Sequence, residues 1–209
     1  MGLKTARLPR SPIAGLRTVE LTPRYEHALQ RFFDANPEYF IAVNGERPGP
    51  DAAREEIRAE LPQGFSHTRK WLLGYMDEAK ALAAMANVVS DLFADGVWHI
   101  GLFIVATPRH GSGDAQRLYA GLEAWARANG ACWLRLGVVQ GNARAEGFWQ
   151  RLGFIQTRTR LVEMGTRMNT VRVMMKPLAG GTREQYLSLV ERDRPERRRL
   201  SAGRRSARP

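Results

Sequence analysis

The chain has 209 residues, a formal net charge of +11 and 44% hydrophobic residues. That is enough apolar material for one buried core, and no run approaches the roughly 20 residues of a membrane span. The single cysteine, Cys132, excludes an internal disulfide and a cysteine-based zinc cluster. Four lysines stand against twenty-eight arginines, a compositional bias more than a nucleic-acid surface, so neither specific nucleic-acid binding nor membrane association is expected. The opening residues MGLKTARLPRSP contain no apolar signal core, and Ala6 stands where a myristoylation signal has Ser or Thr. The expected location is the cytoplasm.

In chain order, residues 1–17 read as a flexible arm. A helical pattern runs over 19–33, with Thr22-Pro23 as cap and first turn. Residues 36–50 are rich in Gly, Pro and Asn, and 51–61 read as a second helix. The first clear strand is 70–76. Residues 79–92 are ambiguous: the alanines favour helix, but the position opposite 70–76 favours a hairpin strand. Further strands are expected at 97–106, 131–139, 154–162 and 170–176, with helices at 112–128 and 142–152. Gly130 and Gly153 end the two helices. A mixed sheet covered by helices follows, over a folded domain spanning 18–180. The tail from 181 onward is basic and lacks apolar periodicity. Within it, 183–209 hold nine arginines against four acids, and the tail reads as disordered. It is either an unselected solvated terminus or a weak, nonspecific anion-binding segment.

The segment Pro108-Arg109-His110-Gly111-Ser112-Gly113-Asp114-Ala115 joins the apolar run 100–106 to the amphipathic run 116–128. Strand, glycine loop and helix start together leave backbone N–H groups free at the positive end of a helix dipole, a place for a phosphate. The loop has neither GxxxxGK[ST] nor GxGxxG, so the P-loop and the dinucleotide fingerprint are both excluded.

The segment 105–115 and the segment Asn142-Ala-Arg-Ala145-Glu-Gly-Phe148-Trp149-Gln-Arg-Leu-Gly153-Phe154 together resemble motifs A and B of the GCN5-related N-acetyltransferase (GNAT) superfamily. The resemblance implies an α/β (α+β) fold, a three-layer α-β-α arrangement whose central mixed sheet splays between strands 4 and 5. Acetyl-CoA, as acetyl donor, would sit in the split. The backbone of Phe103, Ile104 and Val105 would meet the pantetheine, and residues 110–115 would meet the pyrophosphate: His110, Gly111, Ser112, Gly113, Asp114 and Ala115. Arg109 is a candidate for a phosphate, and Asn142 for a helix cap, a cofactor contact or both. Two positions depart from the family pattern. His110 stands where Arg or Gln is common, and Asp114 replaces an apolar residue; an outward orientation is expected for Asp114. No metal site is expected.

Acetyl transfer needs a neutral amine, a polarised thioester carbonyl and a stabilised leaving thiolate. An amine of pKa about 10 is roughly one part in a thousand neutral at pH 7, so supplying the neutral form is worth about 4 kcal/mol. His99 is the first candidate base, with Asp91, Glu20 and His67 behind it. The backbone N–H of Val105 or its neighbour is the expected carbonyl donor. The family often has Tyr where this chain has Trp149, whose indole N–H donates a hydrogen bond but is no ordinary acid. Three readings follow: CoA leaves as a solvated or hydrogen-bonded thiolate, Tyr119 substitutes weakly for the acid, or the chain binds acyl-CoA and catalyses poorly. Residues 36–68, with Tyr39, Phe40, Asn44 and Arg47, are expected to line the acceptor pocket. The function expected is acetyl transfer to a primary amine of a small molecule, in a ternary complex, by a monomer or homodimer. A non-catalytic acyl-CoA-binding regulator and a basic interaction protein acting through its tail are the alternatives.

Overall fold

The computed structural model describes residues 7–178 and 180–195. Seven strands form one sheet: β1 (Arg17–Glu20), β2 (Arg69–Met76), β3 (Leu82–Ser90), β4 (Val97–Val105), β5 (Trp133–Val139), β6 (Ile155–Met164) and β7 (Arg167–Pro177). Their order is β1-β2-β3-β4-β5-β7-β6. All neighbours are antiparallel except β4 and β5, which run parallel. Helices α1 (Glu26–Ala35), α2 (Glu38–Asn44) and α3 (Ala52–Arg58) cover one face; α4 (Asp114–Ala128) and α5 (Ala143–Arg151) cover the other. This is the mixed, helix-covered sheet expected from the sequence. Among the described residues, no helix is long and apolar enough to cross a membrane.

The alanine-rich segment 82–90 is a strand because it lies at the centre of the sheet, between β2 and β4. Small side chains there let both helical layers approach, and packing overrides helix propensity. On the α4 side, Trp71, Trp98 and Trp125 form a cluster with ring centroids 5.1–5.3 Å apart. On the other side, Leu29, Phe32, Phe33 and Phe40 of α1 and α2 pack on Leu72, Met85 and Ile104.

Four sequence expectations are corrected. The helical pattern assigned from Val19 begins instead with strand β1, in which Val19 pairs with Gly74; four residues are too few to display alternation. The segment 36–50 contains α2, lying between Pro37 and Gly45, which closes it with φ +87°. The described part of the arm, from residue 7, is packed: the indole Nε1–H of Trp125 donates to the Arg7 carbonyl at 2.7 Å, and Ile13 is buried against Tyr75 and Leu118. The tail expected to be disordered from 181 is folded at its start. Thr182 and Gln185 form a capping box for α6 (Arg183–Leu189), which buries Tyr186 and Val190 with Val97, Trp133 and Met175. Residues 196–209 of that tail lie outside the described residues. The signal missed was the apolar i, i+4 pair Tyr186 and Val190 inside an arginine-rich stretch.

A short turn after α6 carries Asp193, which is fully buried. Its carboxylate accepts from Arg135 Nε at 2.7 Å and Nη2 at 3.1 Å, and from Arg160 and the Tyr186 hydroxyl. Burial by itself would raise the Asp193 carboxyl, but Arg135, Tyr186 and Arg160 together hold it below the usual carboxylate range. Asp193→Asn therefore leaves Arg135 buried without its counter-charge, with an expected loss of about 3–5 kcal/mol in urea unfolding. In the wild type, the stabilisation from this ionised group is complete above the ordinary carboxylate pKa. It is lost as pH falls through the lowered folded value, and urea midpoints measured down the acid range check that direction.

Candidate active site

Strands β4 and β5 pair over four positions only, from Val97 with Trp133 to Ile100 with Leu136. Beyond that point they separate. The next residues are Gly101 and Gly137, both exposed although they lie in the middle of the sheet. The β3–β4 ladder continues through a bulge that skips Gly101, so the remainder of β4 stays fixed to β3.

The free edge of β4 follows from the pairing alternation. The Ala106 N–H donates to the Ala83 carbonyl, which makes that pair a hydrogen-bonded one. The pairs Val105 with Ala84 and Phe103 with Ala86 are then non-hydrogen-bonded, and their N–H and C=O groups point into the split. Ile104 faces the opposite way, its backbone groups directed to Met85. Of the three residues expected to meet pantetheine, Phe103 and Val105 present backbone groups to the split and Ile104 does not. The Val105 carbonyl is already taken by His110, whose Nε2–H donates to it at 2.8 Å.

The split widens into a cavity of about 880 Å³, walled by β4, the loop after it, the start of α4, α5, and α2. In the loop, Gly111 and Gly113 both have φ +83°, a conformation that side chains rarely adopt. Among the described residues, the N–H groups of Gly111, Ser112, Gly113, Ala115 and Gln116 have no protein acceptor. Five free donors at the N-terminus of a 15-residue helix form an anion cradle.

Two side chains of the loop organise it instead of pointing at the ligand space. The Ser112 hydroxyl donates to the Arg109 carbonyl at 2.7 Å. Asp114 was expected to point outward; it is buried, with its carboxylate 2.9 Å from Arg117 and 2.8 Å from Arg109. Hydrogen bonds from Arg117 and then Arg109 hold its carboxyl below the usual range. Asp114 thus neutralises Arg109, which still lines the cavity.

Helix α5 supplies the opposite wall. Asn142 caps it, accepting from the Ala145 N–H at 3.1 Å, and also lines the cavity. Trp149 packs among Phe103, Tyr119, Phe148 and Phe154, with centroids 4.9–5.8 Å apart. Its indole N–H has no acceptor among the described residues and, unlike that of Trp71, is not sealed from solvent. Tyr119 does not replace the missing tyrosine: its hydroxyl donates to Glu123 at 2.5 Å and it lies outside the cavity lining.

The sequence reading missed Arg144 and Arg151, which line the cavity with Phe148 and Leu152. The 144, 148, 151 and 152 spacing of a single helical face was the available signal. It also missed Asn36, whose buried side chain accepts from the Thr107 N–H at 2.6 Å and so ties α1 to the loop after β4.

The proposed bases do not gather at the cavity. His99 is absent from its lining. His99 Nδ1 lies 3.1 Å from the Arg135 carbonyl and 3.3 Å from Arg135 Nη1. Desolvation, and then the Arg135 cation, push its pKa down to about 3, too low for a base matched to neutral pH. Asp91 caps the turn before β4, Glu20 pairs with Arg69, and His67 is exposed. In the segment 36–68, Tyr39 lines the cavity but Phe40 lies in the core. The Asn44 carbonyl is bound by Thr166, and Arg47 is exposed away from the lining. Arg158 and Arg160 of β6 both donate to the Arg192 carbonyl.

The site is thus a splayed parallel strand pair with an anion cradle at its mouth. The sequence profile of the Acetyltransferase (GNAT) family matches residues 19–154, and the chain belongs to this family. Solved structures share the fold. One is an acetyltransferase from Thermus thermophilus, at 21% identity and TM-score 0.59, covering 79% of this chain and 99% of that one. The spermidine N-acetyltransferase of Vibrio cholerae, solved with CoA and spermine, aligns at 15% identity and TM-score 0.59, covering 79% and 96%. The ribosomal-protein-S18-alanine N-acetyltransferase of Escherichia coli aligns at 15% identity and TM-score 0.58, covering 80% and 97%. A comparison with curated proteins finds no match.

The loop geometry sets an expectation for two variants, read by calorimetric titration of acetyl-CoA. Gly113→Glu forces a side chain into a left-handed position and sets a carboxylate beside the free N–H groups; affinity falls tenfold or more, about 1.4 kcal/mol or greater. Ser112→Ala removes a hydroxyl directed at the Arg109 carbonyl, and the affinity loss stays below about threefold, roughly 0.6 kcal/mol.

Proposed function

We propose that the chain moves the acetyl group of acetyl-CoA to a primary amine, by direct attack within a ternary complex. The observation that supports this most is the free edge of β4 running into five unsatisfied N–H groups at the start of α4. An extended ligand with amides at one end and phosphates at the other satisfies both. The basic side chains Arg144 and Arg151 at the rim favour the remaining phosphate charge. Amine acceptors are named for two proteins of the same fold. A small molecule is the acceptor we favour, since α2 and α3 close over the open side of the sheet.

Acetyl-CoA, when bound, supplies a thioester carbonyl carbon and a thiol leaving group. The residues of the chain hold and polarise it. The N–H groups of Phe103 and Val105, facing the split, are the donors for the carbonyl oxygen. Trp149 offers its indole N–H to the departing sulfur, stabilising a thiolate without giving up a proton. Asn142 fixes the start of α5, and with it Trp149, and itself lines the cavity.

The test is release of CoA thiol across a panel of primary amines, small and peptidic. Turnover with small amines is the expected result. Tight acetyl-CoA binding with no turnover on any amine would instead make the chain a non-catalytic acyl-CoA binder. Trp149→Phe keeps the aromatic packing and removes the donor; the expected result is a fall in kcat of about ten- to a hundredfold at unchanged acetyl-CoA affinity. An unchanged kcat would leave the thiolate to solvent.

A further inference from the structure

We propose that Glu56 of α3, oriented by Asn87 of β3, receives the acceptor's ammonium group and takes its proton. The inference rests on the acetyltransferase reading and concerns the face of the sheet opposite α4 and α5. Gly101 and Gly137 open the sheet where β4 and β5 part. A side chain at Gly101 would point to the Asn87 amide, with the nearest atom at 3.5 Å. Asn87 is therefore the neighbour of Gly101 on that face, and it and Glu56 lie outside the residues that line the donor cavity. Asn87 Nδ2 donates to Glu56 Oε1 at 2.6 Å. Asn87 Oδ1 is buried and has no donor among the described residues.

Glu56 Oε2 and Asn87 Oδ1 have no hydrogen-bond donor among the described residues, and a primary ammonium carries three N–H groups. The groups facing Glu56 are Lys70 of β2 and Tyr39 of α2, besides Asn87. The Lys70 ammonium is directed at backbone, donating to the Ala59 carbonyl at 2.6 Å and the Glu56 carbonyl at 3.4 Å. Tyr39 also lines the donor cavity, so it links the two sides of the opening. Burial raises the Glu56 carboxyl, with Asn87 and then Lys70 opposing, which moves it toward the range of a useful base.

Glu56 takes one proton from the ammonium and leaves a neutral amine. The amine forms the N–C bond as the C–S bond breaks, its second proton passes to the departing thiolate, and the products are an amide and the CoA thiol. The Glu56 proton then returns to solvent.

The experiment uses the full chain labelled with carboxyl-¹³C glutamate and saturated with CoA. The Glu56 resonance is identified by its absence in Glu56→Gln, and propylammonium chloride is the probe against 1-propanol. The expected result is a saturable shift of the Glu56 resonance with propylammonium and none with propanol. The midpoint is at least about tenfold weaker in Asn87→Ala, a loss of roughly 1.4 kcal/mol. With an amine that turns over, Glu56→Gln lowers kcat/KM by about a hundredfold and replaces the neutral-pH plateau with a continuous rise. A Glu56 resonance unmoved by propylammonium, in protein that binds CoA by calorimetry, overturns the assignment and leaves the acetyltransferase reading intact. Failure of the wild type to bind CoA overturns that reading and the assignment with it.

Discussion

The separation of β4 from β5 is the constraint on which the rest of the structure depends. A parallel pair in the middle of a sheet would ordinarily continue to the ends of both strands, because each unpaired N–H and C=O forfeits a hydrogen bond. Here pairing stops after four positions, at two glycines. Two features keep the strands apart. The β3–β4 ladder continues past the bulge and holds β4 on one side. On the other, Phe148 of α5 stacks on Phe103 of β4 and Trp149 meets the same ring edge-on. Trp149 is held in turn by Phe154 and Tyr119, so α5 is fixed to β4 through a packed aromatic cluster.

The supports at the edges of the domain follow from that requirement. A sheet with a divided centre needs its flanks tied together. The segment after β7 does so by burying Asp193 against Arg135 of β5 and Arg160 of β6. The Arg192 guanidinium beside it stacks between Phe65 and Phe93, 4.4 and 4.2 Å from their centroids. Asn36 and Glu38 tie α1 and α2 to the loop after β4 through the Thr107 N–H and hydroxyl. The loop after β4, which carries the free N–H groups, is thereby tied to α1 and α2.

What the sequence made legible was the part built on backbone geometry. Two glycines between an apolar run and an amphipathic one announce a strand, a turn with positive φ and a helix start, and the cradle at 111–116 is where that pattern puts it. The same reasoning could not tell that Ile104 turns its backbone to β3, because the bulge at Gly101 resets the alternation. Nor could it see that Asp114 lies buried between two arginines, since a lone acid at a helix start reads as favourable in either orientation. His99 was misread for a related reason. Its strand position was right, but the Arg135 cation that depresses it comes from the neighbouring strand, 36 positions on. α2 and α6 were hidden, one by flanking proline and glycine and the other by arginines around a two-residue apolar contact.

The division between backbone and side chain also separates what kinship can and cannot convey. On the donor side the groups offered are N–H and C=O of β4 and of the loop, and almost any sequence that folds this way presents them. That is consistent with a shared fold at 15–21% identity with proteins named for acceptors as different as spermidine and an alanine of a ribosomal protein. The acceptor side depends on side chains from α2, α3 and β3, each carried on an element whose position, but not whose chemistry, the fold dictates. Tyr39, Glu56 and Asn87 are brought together by register and helix docking alone, across 48 positions of chain between the first and the last. The free N–H groups of the loop and these three side chains thus belong to separate elements, with Tyr39 alone of the three lining the cavity beside the loop.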